Sequence, residues 1–100
     1  MDQQTEQAGG EKRYRVTLHG RGIRRRCRAP GPICTPLGYT DALEVPAALR
    51  AMAADHLRSE YRAVSEARVA VTEVTVYPWG HLVVPDSPAV EADITAEVAA

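Results

Sequence analysis

Residues 14–28 read YRVTLHGRGIRRRCR, and this stretch decides the predicted fold. Residues 14–19 alternate between apolar and polar side chains, which is typical of a strand with one buried face. Gly20-Arg21 then fits a two-residue type II′ turn, whose first central position favours glycine. A second strand follows over residues 22–29. The stretch therefore predicts a β-hairpin with its turn at Gly20-Arg21.

One side of this predicted hairpin is cationic. In the register that the turn sets, Arg15 lies opposite Arg26, and Arg13 lies opposite Arg28. Like charges that face each other across strands destabilise a sheet, so an anionic partner would relieve the repulsion. The alternative is an ordinary wet sheet face that arginine happens to cover. The predicted anion-binding or nucleic-acid-binding arginines are Arg13, Arg15, Arg24, Arg26 and Arg28.

Arg25 falls on the apolar side of the hairpin, and three placements are open for it. It could pair with an acid such as Glu60 or Glu73, mark a local bulge, or lie at the sheet edge with its charged end in water. We favour the edge, because an unpaired buried guanidinium is costly.

The charge distribution is strongly uneven along the chain. Eight of the 12 basic residues lie within residues 12–28, where there is no acid, which leaves four basic residues against 13 acidic ones elsewhere. The formal net charge of −1 therefore hides two regions of opposite sign. A local positive field attracts nucleic acid or an acidic protein surface.

The rest of the chain predicts one helix and two further strands. Residues 29–40 are rich in proline and glycine and predict an irregular connector. A helix is expected from Pro46 to residues 62–66, with an apolar face formed by Val45, Leu49, Met52, Ala53, Leu57 and Val64. Residues 67–77 predict a strand whose apolar side chains change from one face to the other at Thr72-Glu73. A bulge, or burial on both faces, would account for this change. A turn at residues 78–80 and a short strand at 82–84 follow.

These elements predict a small α+β domain. The expected order is β-β-α-β-β, with an antiparallel sheet packed against one amphipathic helix. Residues 1–11 are expected to form a flexible polar N-terminus, residues 12–85 the single domain, and residues 86–100 an acidic tail in which a short helix is one option. Such a tail would compete with external anions for the arginines, so deleting residues 86–100 should tighten nucleic-acid binding.

Few other residues suggest a site. Trp79 and Tyr77 flank Pro78, and exposed aromatic side chains beside a basic face can stack on bases, although a lone Trp more often covers a core edge. His56 and Glu60 are spaced for a structural hydrogen bond. Cys27 and Cys34 are expected to be free thiols, with a disulfide across the loop left open. We predict no catalytic residue, metal site or cofactor.

The sequence thus predicts a non-enzymatic binding module that engages nucleic acid through the five arginines and Trp79. The alternative is a protein-interaction module, such as an assembly subunit or an inhibitor encoded by a phage or mobile element, that docks on an acidic protein surface. The N-terminal residues contain no apolar signal region and no apolar run spans a bilayer, so we expect a cytoplasmic protein without membrane contact. The oligomeric state stays open.

Overall fold

The computed structural model describes residues 10–80, 82–83 and 90–99. The elements are β1 (Glu11–Arg24), β2 (Gly31–Thr40), α1 (Ala47–Glu60), β3 (Tyr61–Val76), β4 (Leu82–Val83), β5 (Val90–Asp93) and α2 (Thr95–Ala99). The sheet has the order β2-β1-β3-β4, and β5 also pairs with β3. These strand pairs are antiparallel. The predicted α+β class with an antiparallel sheet is confirmed, and sheet forms most of the fold.

The predicted turn at Gly20-Arg21 is wrong, because β1 continues through both residues to Arg24. Gly20 pairs with Ile33 on β2 and with Ala67 on β3. Its φ of +149° is unfavourable for a side chain, and a Cβ there would overlap the backbone carbonyl of Glu66. Because it has no side chain, Gly20 lets β3 approach closely, which is one of the roles that glycine has inside sheets.

The proline-rich connector expected at residues 29–40 is also wrong, since residues 31–40 form β2. Among the described strands, β2 lies at the edge of the sheet and pairs with β1 alone. Pro32 and Pro36 fit there, because the outer side of an edge strand makes no ladder hydrogen bonds and needs no backbone N–H. The real hairpin is β1–β2, and its turn lies at residues 25–30.

The helix begins at Ala47, next to Pro46, and ends at Glu60, before the predicted end at residues 62–66. Tyr61 already has extended backbone angles and begins β3. The helix buries Leu49, Ala53, Ala54 and Leu57, whereas Met52, which was expected on the apolar face, is exposed. The described turn at residues 78–80 agrees with the prediction, with the Gly80 N–H donating to the Tyr77 carbonyl at 2.8 Å.

The main core lies between one sheet face and the two helices. Leu18 of β1 and Val69 of β3 are directly paired and are fully buried against residues of α1 such as Leu57. On the opposite sheet face, which we call the open face, Val74 is also buried. β3 thus buries side chains on both faces, which explains the phase slip at Thr72-Glu73 without a bulge at that position.

Residues 90–99, which were expected to be an acidic tail, are part of this core and sheet. Ile94 is fully buried and Val98 nearly so. Arg50 of α1 holds the segment through its Nε, 2.7 Å from Glu97 Oε2, and through a second N–H that donates to the Asp93 carbonyl at 3.0 Å. Residues 86–89 and 100 of the expected tail, Val84 of the expected strand and residues 1–9 of the expected N-terminus lie outside the described residues.

The acids of this segment predict how folding depends on pH. A backbone hydrogen bond from Thr95 lowers the pKa of Asp93 from its ordinary value of 3.8, and the Arg50 side chain lowers the pKa of Glu97 from 4.5. A carboxyl with a lowered folded pKa stabilises the fold above its unfolded pKa, and this stability is lost as the pH falls through the folded pKa. We therefore expect stability to decrease as the pH drops below these ordinary values.

Urea midpoints of the wild type and of Glu97→Gln, measured from neutral to strongly acidic pH, check this expectation. The wild type should have the higher midpoint at neutral pH, and the difference should disappear in acid. Glu91→Gln, which removes an exposed carboxylate of the same segment, serves as the control. A midpoint difference that stays constant with pH would contradict the role of Glu97.

Candidate anion-binding surface

The five arginines predicted to share one face are divided between two regions. Arg13 and Arg15 lie near the start of β1, whereas Arg24 ends β1, and Arg26 and Arg28 lie in the turn after it. At roughly 3.3 Å per strand residue, Arg15 and Arg24 are about 30 Å apart along the strand. The predicted pairing of Arg15 with Arg26 is wrong, because Arg15 lies opposite Tyr39 and Thr72.

The open face carries Arg13, Arg15 and Arg21 on β1, but its charge is balanced. Strand alternation and register place Arg68 on the same face, together with four acids that match the four arginines: Glu11, Glu66, Glu91 and Asp93. The Arg13 guanidinium lies 3.7 Å from Glu11 and 5.3 Å from the centre of the Tyr39 ring. Arg15 has a buried Nε without a hydrogen-bond partner among the described residues.

The other region is more strongly cationic. We call residues 24–28 (RRRCR) the arginine turn. Arg24 lies 3.7 Å from Glu60 and 5.1 Å from the centre of the Tyr61 ring. Arg26 and Arg28 are exposed, and within the described part of the chain neither has an acidic partner within 4.0 Å. These two side chains are therefore available to an external anion.

Arg25, which belongs to the arginine turn, and Arg62 of β3 hold this turn in place. Arg25 donates from Nε to the Ser59 carbonyl at 3.0 Å and from a terminal nitrogen to the Arg58 carbonyl at 2.6 Å. It thus occupies carbonyls that α1 leaves unpaired at its C-terminus, where a positive charge also suits the helix dipole. Arg62 donates twice to the Cys27 carbonyl, at 3.2 and 3.1 Å. The turn is therefore anchored to the junction of α1 and β3.

Arg25 takes a position that strand alternation did not predict, because β1 ends one residue before it. Arg58 and Arg62 were also missed as part of the cationic region. The basic residue in the last turn of a helix is the signal that could have pointed to Arg58. No local sequence pattern indicates that the hairpin turn packs against the C-terminal end of α1.

Trp79 is exposed and stacks on Tyr77, with ring centres 4.9 Å apart and planes 15° apart. It lies beyond the β3 end that pairs with Glu11, whereas the arginine turn adjoins the other end of β3. Trp79 is therefore nearer to Arg13 than to the turn, and the predicted site residues do not form one continuous patch.

The remaining candidates are the cysteines and histidines. Cys27 and Cys34 are free and exposed. Over the described ranges, no group of three or more His, Cys, Asp or Glu side chains is arranged to hold a metal ion. His56 is half-buried on α1, and His81 lies outside the described residues. Neither helix in the described residues has the length and apolar character of a membrane span.

Comparisons with known proteins do not indicate a function for this surface. No family model matches the sequence, no curated protein is significantly similar to it, and no solved structure is significantly similar to the fold.

Proposed function

We propose that this chain is a small non-enzymatic module that binds nucleic acid, and that the arginine turn makes the main contact. The observation that carries the proposal is the exposure of Arg26 and Arg28 without acidic partners in the described part of the chain, on a turn anchored by Arg25 and Arg62. Guanidinium groups bind phosphate through paired N–H donors, and an anchored turn has less conformational freedom to lose on binding.

The two arginine regions allow a quantitative test. Each phosphate contact contributes about −0.9 to the slope of log K against log salt concentration on duplex DNA. Contacts from Arg24, Arg26 and Arg28 alone predict a slope of about −2.7, and adding Arg13 and Arg15 predicts about −4.5. Fluorescence anisotropy with a labelled short duplex, from about 50 to 200 mM salt, measures this slope. We expect the smaller value, because Arg15 lies about 30 Å from Arg24 along the strand, on a face that also carries Glu66, Glu91 and Asp93.

The variant R26Q/R28Q should reduce the magnitude of the slope by about 1.8, because two phosphate contacts are lost. The control is Arg68→Gln, since Arg68 lies on the open face within 4.0 Å of Glu66, and its slope should equal that of the wild type. No binding at the lowest salt concentration, or a slope that R26Q/R28Q leaves unchanged, would falsify nucleic-acid binding by the turn.

An acidic protein surface is the alternative partner for the same arginines. Guanidinium groups pair with carboxylates in the same two-pronged geometry that they use with phosphate. In that case duplex DNA should fail to compete with the protein partner, which separates the two functions.

A further inference from the structure

A crevice of about 380 Å³ lies beside the arginine turn, where α1 ends, β3 begins and α2 packs. Its volume is within the range of small-molecule sites. Its cationic wall consists of Arg25, Arg58 and Arg62, and its apolar wall includes Tyr61, Val64 and Val98. A site with this composition suits a ligand that has an anionic group at one end and an apolar or aromatic body at the other.

Two of the three guanidinium groups have no acidic partner within 4.0 Å among the described residues. Arg25 and Arg62 each use two N–H groups, and all four bonds go to neutral backbone carbonyls. Since a guanidinium has five N–H donors, three remain on each side chain. Both side chains are already ordered, so a ligand that binds them loses little additional rotamer entropy.

The third guanidinium is already neutralised. Arg58 forms an ion pair with Asp55 and also donates to the Glu97 carbonyl at 2.5 Å. Glu60, the acid at the end of α1, lies 3.7 Å from Arg24. Among the described residues that line the crevice, the excess charge is therefore about two positive units, which matches a phosphomonoester with its charge of about −1.5 to −2 at pH 7 better than a singly charged phosphodiester.

Tyr61 adds an independent observation. Tyr61 lines the crevice but is only 4% exposed, and its buried hydroxyl has no hydrogen-bond partner among the described residues. An unsatisfied buried hydroxyl costs free energy, so the hydrogen-bonding capacity of Tyr61 is unused in this part of the structure.

We propose that this crevice binds a phosphomonoester, with the phosphate on Arg25 and Arg62 and the attached group against Tyr61, Val64 and Val98. The source of this group is either a free nucleotide or the 5′-phosphate end of a nucleic-acid strand. The second source rests on the proposed function, because the strand would then continue along the arginine turn, whereas the first source is independent of it.

The test compares ligands that differ only in the phosphate, on the wild-type protein. Adenosine 5′-monophosphate and adenosine are compared by calorimetry, and one single-stranded oligonucleotide with a 5′-phosphate or a 5′-hydroxyl is compared by anisotropy. The phosphorylated member should bind about tenfold or more tightly in at least one pair, since charge-assisted hydrogen bonds from guanidinium to phosphate are stronger than neutral ones. Preference in the nucleotide pair supports a free nucleotide, and preference in the oligonucleotide pair supports a strand end.

Arg62→Gln should abolish the phosphate preference, and Arg62→Lys should retain part of it, because lysine keeps the charge without the planar fork. Arg28→Gln is the matched control, because it should weaken both oligonucleotides equally and leave their ratio unchanged. Thermal unfolding checks that Arg62→Gln folds, and the wild-type comparison decides the question if it does not.

The outcomes separate the two proposals. Equal affinities within both ligand pairs overturn the phosphomonoester site. If the two oligonucleotides bind equally and in a salt-dependent way, the nucleic-acid function stands and this inference falls. If adenosine 5′-monophosphate binds in preference to adenosine while neither oligonucleotide binds, the crevice stands and the nucleic-acid function falls.

Discussion

Gly20→Ala is expected to lower the free energy of unfolding by roughly 2–6 kcal/mol, through about 1–3 kcal/mol of backbone strain and about 1–3 kcal/mol of steric overlap. The strain arises because the φ of Gly20 is +149°. The overlap arises because the new methyl group would meet the Glu66 carbonyl of β3. Since a domain of this size has about 5–15 kcal/mol of stability, the substitution removes a large part of it.

Gly31→Ala is the matched control, because no heavy atom of the described residues beyond its two chain neighbours lies within 4 Å of the position its Cβ would take. Gly31 also has no positive φ. Urea denaturation of both variants should show a large loss for Gly20→Ala and a change within about 1 kcal/mol for Gly31→Ala. Equal effects would contradict the close passage of β3 beside Gly20.

Ile94→Ala is expected to lower the free energy of unfolding by about 2–5 kcal/mol, the usual range for truncating a buried isoleucine. Ile94 has no exposed surface and lies in the same core as Leu18 and Leu57. A loss of this size would show that residues 90–99 are a structural part of the domain. A tail outside the core would tolerate the change.

Met52→Ala provides the control for Ile94→Ala, because Met52 is 52% exposed on α1. Its effect should stay within about 0.5 kcal/mol, as at other surface positions. Both variants can be compared by chemical denaturation monitored through far-UV circular dichroism. If Ile94→Ala were as mild as Met52→Ala, residues 90–99 would not be packed as the structure describes.

The role of Ile94 also changes the expected effect of deleting residues 86–100. The deletion removes Ile94 and Val98 from the core and β5 from the sheet, so we expect unfolding in place of tighter nucleic-acid binding. In the described part of this segment, Glu97 pairs with Arg50 and not with the arginine turn. Charge variants such as Glu97→Gln therefore test the masking hypothesis better than truncation does.

Local patterns predicted the elements whose signals lie within a few residues. The alternation of residues 14–19 indicated a strand, Pro46 marked the start of the helix to within one residue, and Pro78-Trp79-Gly80 indicated a turn. The same patterns failed at β2, because Pro32 and Pro36 locally argue against a strand. Their tolerance depends on the edge position of β2, which is a property of the whole sheet.

The candidate site also combines features that local sequence predicts with features that depend on long-range contacts. Clustering in the sequence identified Arg24, Arg26 and Arg28, which share one exposed turn. It wrongly joined Arg13 and Arg15 to them, because the inferred register depended on a turn at Gly20-Arg21. Arg58 and Arg62 could not be assigned to the site, since they lie more than thirty residues from Arg25 and Cys27 in the chain.

The sequence by itself determined the α+β class, the presence of an antiparallel sheet and the concentration of positive charge in residues 12–28, because periodicity and charge are local properties. Only the tertiary structure decided that β1 passes through Gly20, that residues 90–99 complete the core, and that Arg25 and Arg62 anchor the arginine turn. The physical reason is that glycine permits both a turn and a close strand contact, and that the carbonyls of Ser59 and Cys27 become partners for arginine only once distant segments pack together.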